Sequence, residues 1–195
     1  CARIVRSIED GRHVFLHAFQ SLNQGESEWV TTNFFDTDAD DRVIEHWGVA
    51  APYSGHTKSG RTAIDGPTEI SDRDRTGENK TIVRKMIKKV LMTGGKPSQV
   101  DRSVSDTHVR HNTELADGVS SFHDLTAADD ALVYDEIVLL VGEGDFVASL
   151  CRVHRDDISY AQTDVFRLKQ GLIVERWANS EAVPPEELWV NSGPF

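Results

Sequence analysis

The sequence has only two cysteines, Cys1 and Cys151, so no disulfide framework holds it together, and their spacing is not that of metal ligands. Cys151 sits in an apolar run and is expected to be a small core residue. No apolar stretch approaches the length of a membrane span and no signal-peptide pattern is read at its start, which leads us to expect a cytoplasmic protein without a membrane partner. Positive charge is also scarce. The 21 basic and 32 acidic residues leave a formal net charge of -11, which argues against a phosphate-binding surface and a nucleic-acid partner. The one basic run, Arg84-Lys85-Met86-Ile87-Lys88-Lys89, reads as the wet face of an amphipathic helix. A glycine-rich phosphate loop, a Gly-x-Ser-x-Gly elbow and a His-Glu-x-x-His helix are all missing. His108 and His111 have no third metal ligand placed by spacing, so neither a cofactor nor a metal is expected.

What the sequence does contain is an internal repeat. Thr163 to Trp177 reads as strand, tight turn, strand, and Thr32 to Trp47 is an earlier copy; Trp47 and Trp177 lie 130 positions apart, Thr32 and Thr163 131. Upstream, Glu9-Asp10-Gly11-Arg12-His13-Val14 aligns with Gly142-Glu143-Gly144-Asp145-Phe146-Val147 at an offset of 133, and Arg3-Ile4-Val5 then falls on Glu136-Ile137-Val138. The expected strands at 1–7, 12–22, 28–35 and 42–49 make a four-stranded antiparallel meander. Alternation puts Phe15, His17 and Phe19 on one face of the second strand and Val14, Leu16 and Ala18 on the other. Both faces are apolar, so both should be covered.

Residues 51–78 are rich in Pro, Gly and mixed charge and read as a solvated linker. A helix follows, with Ile82, Val83, Met86, Ile87, Val90 and Leu91 at three- and four-residue spacing, ended by Gly94-Gly95 and Pro97. Further expectations are a short helix over Ser98 to Ser105, an extended piece His108 to Asn112, a turn at Asp117-Gly118 and a third helix over Val119 to Leu125 with His123 near its surface. Four more strands begin near Leu132. Helices first and a meander after make the class α+β.

These residues also carry a family resemblance. The helix with Arg84-Lys85-Met86-Ile87, then His111-Asn112 before Ala116-Asp117-Gly118, Gly142 to Val147, Asp164-Val165-Phe166-Arg167, Gly171 to Trp177 and the tail Asn191-Ser192-Gly193-Pro194-Phe195 resemble a SnoaL-like protein of the nuclear transport factor 2-like superfamily. The resemblance covers residues 79–195 as a complete unit and residues 1–50 as the sheet half of another. It implies a cone, a curved antiparallel sheet closed by helices around a pocket, in two tandem units of which the first lacks its N-terminal helices. It also implies a homo-oligomer or an intramolecular pseudo-dimer, because the second sheet face in this superfamily packs against another sheet. The first unit's missing helices lead us to expect a longer native chain ahead of Cys1, or a second copy over the bare face.

The candidate site follows from the same alternation. Tyr160, Gln162, Asp164 and Phe166 share one face of their strand, where a carboxylate among aromatics is suited to act as a general base. The alternative is a structural carboxylate paired with His111 or an arginine. His111 and Asn112 resemble the family's pair at the pocket mouth, an imidazole to shuttle a proton and an amide to orient a carbonyl oxygen. His108, Tyr160, Gln162, Phe166 and Trp177 would line the substrate pocket. Where cyclases of the family carry Glu-His-Trp-Asp, this chain has Glu45-His46-Trp47-Gly48 and Glu175-Arg176-Trp177-Ala178, and Asn33 stands where the second copy has Asp164. Two readings follow: an acid-base enzyme of cyclase, isomerase or hydrolase type on a small apolar carbonyl or polyketide-like compound, or a non-catalytic ligand-binding or assembly module.

Overall fold

The alternating first stretch folds as a meander. β1 (Ala2–Asp10), β2 (His13–Leu22), β3 (Ser27–Thr37) and β4 (Val43–Pro52) pair in chain order as a four-stranded antiparallel sheet. α1 (Thr76–Met86) runs on into a π-helical turn, Ile87–Leu91, and α2 (Pro97–Val100) follows. β5 (Val104–Arg110), β6 (Val133–Glu143), β7 (Phe146–Arg155), β8 (Ile158–Lys169) and β9 (Leu172–Ala182) make a second sheet in the order β5-β9-β8-β7-β6, antiparallel except for β5 beside β9. The computed structural model describes residues 1–55, 60–94, 97–111, 117–120, 132–190 and 193–195. The short helix expected to reach Ser105 stops at Val100, because from Val104 the backbone pairs with β9. Of the third helix expected over 119–125 only residues 119 and 120 are described; His123 and Asn112 lie outside the described residues.

Strand register follows the offsets read from the sequence. Ile8 pairs with Phe15 in the first sheet and Val141 with Ala148 in the second; Phe34 pairs with Trp47, and Val165 with Trp177. The irregularities correspond as well, at Ile4/Arg6 and Ile137/Leu139, then at Asp36/Thr37 and Arg167/Leu168.

The second sheet is buried on both faces, which explains why its strands are apolar on both. One face receives Val83, Met86, Ile87, Val90 and Leu91 of the helix against Val147, Cys151, Phe166, Leu168 and Ile173. Burial pushes the Cys151 thiol up to about 12, consistent with an inert core residue. The other face packs Val141, Phe146, Leu150, Val165 and Trp177 on Ile8, Phe15, Phe34 and Val49 of the first sheet. Edge hydrogen bonds fix the two sheets in register. The Glu9 amide donates to Glu143 (2.9 Å) and the Gly142 amide to Asp10 (3.0 Å), a reciprocal exchange of the kind a two-fold interface makes. At the far edge, the Asn179 amide donates to the carbonyls of Val49 (2.9 Å) and Val30 (3.1 Å), and the Ala50 amide donates to Glu181 (2.8 Å). The first sheet is covered on this face alone among the described residues. On its outer face Val14, Ala18 and Phe35 are half-buried and Ile4 and Val43 are exposed.

Composition suggested a solvated linker over 51–78, but within it the segment Asp65 to Pro67 is held against the sheets. Trp177 Nε1 donates to the Asp65 carbonyl (3.0 Å), Arg6 Nε to the Pro67 carbonyl (2.8 Å), and Arg6 also reaches the Asp65 carbonyl while its guanidinium lies 4.0 Å over the Trp177 ring. The sheets bury these donors, and the strap's backbone carbonyls supply the acceptors they need. Gly66 allows the close approach: it adopts φ +87°, and a Cβ there would lie 2.8 Å from both Glu175 Oε1 and the Trp177 ring.

Gly66→Ala should therefore lower stability by more than about 1 kcal/mol, since both the backbone conformation and the space are lost. Trp177→Ala should cost about 3–5 kcal/mol, the usual range for emptying a buried aromatic site, and the half-buried Trp47 less. Urea denaturation of each variant measures this, and a Gly66→Ala midpoint equal to wild type would contradict the strap's fixed seat.

Candidate functional site

β8 and β9 carry alternating residues to opposite faces of one sheet, and this alternation divides the candidate residues into two clusters. Asp164 sits across from Ala178 and Phe166 across from Arg176, which places the Asp164 and Arg176 side chains diagonally on the helix-covered face. Val165 opposite Trp177 and Arg167 opposite Glu175 face the other way.

On the helix side, Asp164 has no exposed surface and is closed in by donors. Arg176 reaches its Oδ1 through Nε (2.8 Å) and Nη2 (2.5 Å), Gln162 Nε2 adds a third donor (3.2 Å), and the Tyr134 hydroxyl donates to Oδ2 (2.8 Å). Arg176 Nη2 also donates to the Tyr134 hydroxyl (3.0 Å), so carboxylate, guanidinium and phenol form a closed triangle. Burial, and then the Asp164 charge, push the Tyr134 hydroxyl well above its usual range. Burial works against the charge on Arg176, but Asp164 and Tyr134 outweigh it and its pKa is raised. His108 and Arg110 of β5 are fully buried near this group. Burial first, then the charges of Arg110 and Arg176, lower His108 to about 2, so its imidazole is neutral. Phe166 is fully buried and Tyr160 half-buried on the same side.

His111 lies on the opposite face, away from Asp164. Its Nε2 meets Glu175 Oε1 (2.8 Å), its Nδ1 meets the Thr62 carbonyl (2.9 Å) and Asp65 Oδ1 (2.5 Å), and its ring stacks on Trp177 with centroids 4.5 Å apart. Glu175 accepts a second bond from Arg167 (2.8 Å). Burial would raise the Glu175 pKa, but the hydrogen bonds from His111 and Arg167 prevail and lower it. The expectation that Asp164 and His111 share one pocket is thus corrected: His111 follows odd-numbered Glu175 and Trp177 to the inter-sheet side, whereas Asp164 follows Arg176 to the helix side. Trp177 is likewise part of the inter-sheet core and not of the helix-covered face. A cavity of about 10 Å³ beside it, bordered by His17, Thr32, Thr163 and Asn179, has room for one water and not for a substrate.

Arg176, Tyr134 and Glu175 were not among the candidates from the sequence. Arg176 was visible as a departure from the family motif, and its diagonal relation to Asp164 could have been read from the repeat. Tyr134 comes from another strand, and only the fold brings it there.

His17 and His108 make stability depend on pH. Burial, and then Arg6, lower His17 to about 3, and His108 is lowered to about 2, against an ordinary value of 6.5. Between these values the unfolded chain binds more protons than the folded one, so stability is full above about pH 6.5 and falls as pH drops below it. Replacing His17 with Gln should flatten that fall by up to about 1.4 kcal/mol per pH unit, the slope for one proton. Urea midpoints from pH 7 to 5 measure the slope, and an identical slope in the variant would show that His17 is not held neutral.

No family model and no curated protein sequence matches the chain. Solved structures do resemble it. A protein described as a ketosteroid isomerase from Kribbella flavida is similar at 13% identity over 60% of this chain and 91% of its own, with a TM-score of 0.49. An LEH-like epoxide hydrolase of M. tuberculosis is similar at 16% identity over 55% of this chain and 85% of its own, with a TM-score of 0.46. A protein described as a polyketide cyclase from Acidithiobacillus ferrooxidans is similar at 16% identity over 53% of this chain and 88% of its own, with a TM-score of 0.45.

Proposed function

We propose that the chain is a nuclear transport factor 2-like protein of two tandem units, an incomplete one at residues 1–50 and a complete SnoaL-like one at 79–195, joined by residues 51–78. The matching register and irregularities of the two sheets support this, as does the reciprocal bonding of Glu9 with Glu143 and Gly142 with Asp10. In this reading the first sheet takes the place of a dimer partner, as an intramolecular pseudo-dimer.

The protein acts as a non-catalytic binding and assembly module. One observation carries this conclusion: the only carboxylate that the sequence offered as a general base is fully buried and committed to Arg176, Tyr134 and Gln162. A base must be able to reach the proton it removes. The acid-base reading of Asp164 draws its support from the concentration of ionisable groups, Asp164, Arg176, Tyr134, His108 and Arg110, on one dry wall; His111 lies across the sheet from it. A ligand admitted beside that wall would be small and mostly apolar, because α1 and the π-turn face it with Val83, Met86, Ile87 and Val90.

For a structural carboxylate, Asp164→Asn should lower stability by about 3–5 kcal/mol, because it leaves the Arg176 charge buried without its partner, and adding Arg176→Leu should restore part of the loss. Urea denaturation of the two single variants and the double variant measures the coupling. A thermal-shift screen with small apolar ketones, epoxides and polyketide-like aromatics, followed by product analysis, completes the test. Turnover of any of these by the wild type that Asp164→Asn abolishes without loss of stability would overturn the binding reading in favour of the enzyme.

A further inference from the structure

His111 joins the strap to the second sheet through both ring nitrogens, and each contact requires the nitrogen to donate. Nδ1 faces the Thr62 carbonyl (2.9 Å) and Asp65 Oδ1 (2.5 Å). A carbonyl oxygen only accepts, so Nδ1 carries a proton. Nε2 meets Glu175 Oε1 (2.8 Å), while Arg167 donates to the other oxygen of that carboxyl (2.8 Å). Burial works against the Glu175 charge, but the bonds from His111 and Arg167 prevail and lower its pKa, so this carboxylate also accepts and Nε2 carries a second proton. With both nitrogens protonated, His111 is an imidazolium.

The surroundings fit that charge on every side among the described residues. Glu175 of β9 and Asp65 of the strap face the ring with negative charge. Arg167 of β8 is bonded to Glu175, the Arg6 guanidinium of β1 lies over the Trp177 ring on which His111 stacks, and His17 of β2 is held neutral beside Arg6. Only the carboxylates and the Thr62 carbonyl touch the ring nitrogens. We propose that His111 is a pH-operated latch for the strap: charged, it clips Thr62 and Asp65 to Glu175; neutral, it keeps the Nε2 proton, turns a bare Nδ1 toward oxygens that cannot donate, and loosens the strap there. The proton leaves to water beside Asp65, whose side chain is 44% exposed. Docking the strap takes up a proton, so it is firm at low pH and weakens as pH rises through the imidazole titration. This is opposite in sign to His17 and His108, which the fold holds neutral. The strap's other anchors, Arg6 and Trp177 on the carbonyls of Asp65 and Pro67, do not titrate near neutrality. The latch depends on neither reading of Asp164.

Nitrogen-15 NMR of the full chain from pH 6 to 9 tests this. Both His111 nitrogens are expected to be protonated at pH 6, and the Thr62 and Asp65 amides and the Trp177 indole should shift together as Nδ1 loses its proton. His111→Gln should abolish that concerted shift. Asp65→Asn keeps the shape of the strap and removes one of the two negative charges, so it should move the transition down by about one pH unit, and it serves as the second variant should His111→Gln misfold. Four results would overturn the proposal. These are a His111 with one bare nitrogen at pH 6, an imidazolium that persists to pH 9 as a permanent ion pair, strap signals that stay fixed while His111 titrates, or a transition that Asp65→Asn leaves in place.

Discussion

Trp177 stands between the two sheets, with Phe146 at 6.1 Å, the Arg6 guanidinium over one face and His111 stacked on the ring. Much of the molecule depends on that packing. It buries the inter-sheet face of the second sheet against Ile8, Phe15 and Phe34, and it gathers the strap at Asp65 and Pro67 onto the same spot. Apolar burial of this kind is favourable but undirected. Direction comes from the hydrogen bonds at the rim, between Glu9 and Glu143, Gly142 and Asp10, and Asn179 and the carbonyls of Val30 and Val49, which allow one register of the sheets.

A sheet buried on both faces has to dispose of its polar residues on each. The helix side does so with the triangle of Asp164, Arg176 and Tyr134, and the inter-sheet side with His111, Glu175 and Arg167. Both pair opposite charges at buried carboxylates, where an unpartnered charge is costly. Asp164, which alternation offered as a general base, is one of these bonded groups. The same rule accounts for neutral His17, whose imidazole lies beside Arg6 (Nδ1 to Nη1, 3.2 Å) and would have to charge in a buried site.

The first sheet covers the apolar inter-sheet face of the second. Its own outer face keeps the apolar pattern of a covered surface, with Phe35 stacked on His46 at 4.6 Å and Ile4 and Val43 in solvent.

The residues alone determined a good deal. Periodicity of two made the two meanders legible, the 3.6-residue stripe from Ile82 to Leu91 located the helix, and the repeat offsets put Trp47 and Trp177 at equivalent positions, which the structure pairs with Phe34 and Val165. Alternation also placed Tyr160, Gln162, Asp164 and Phe166 on one face. These are local regularities, set by backbone geometry within a strand or helix turn. Which face met which neighbour was decided only by tertiary structure. The sequence distance between His111 and Asp164 says nothing about the sheet between them, and Trp177 could be assigned to the inter-sheet core and not the cone only once β9 had a partner sheet. The strap's capture at Asp65 and Gly66 and the closure of Asp164 by Tyr134 likewise depend on residues tens of positions apart, brought together by burial that no local pattern encodes.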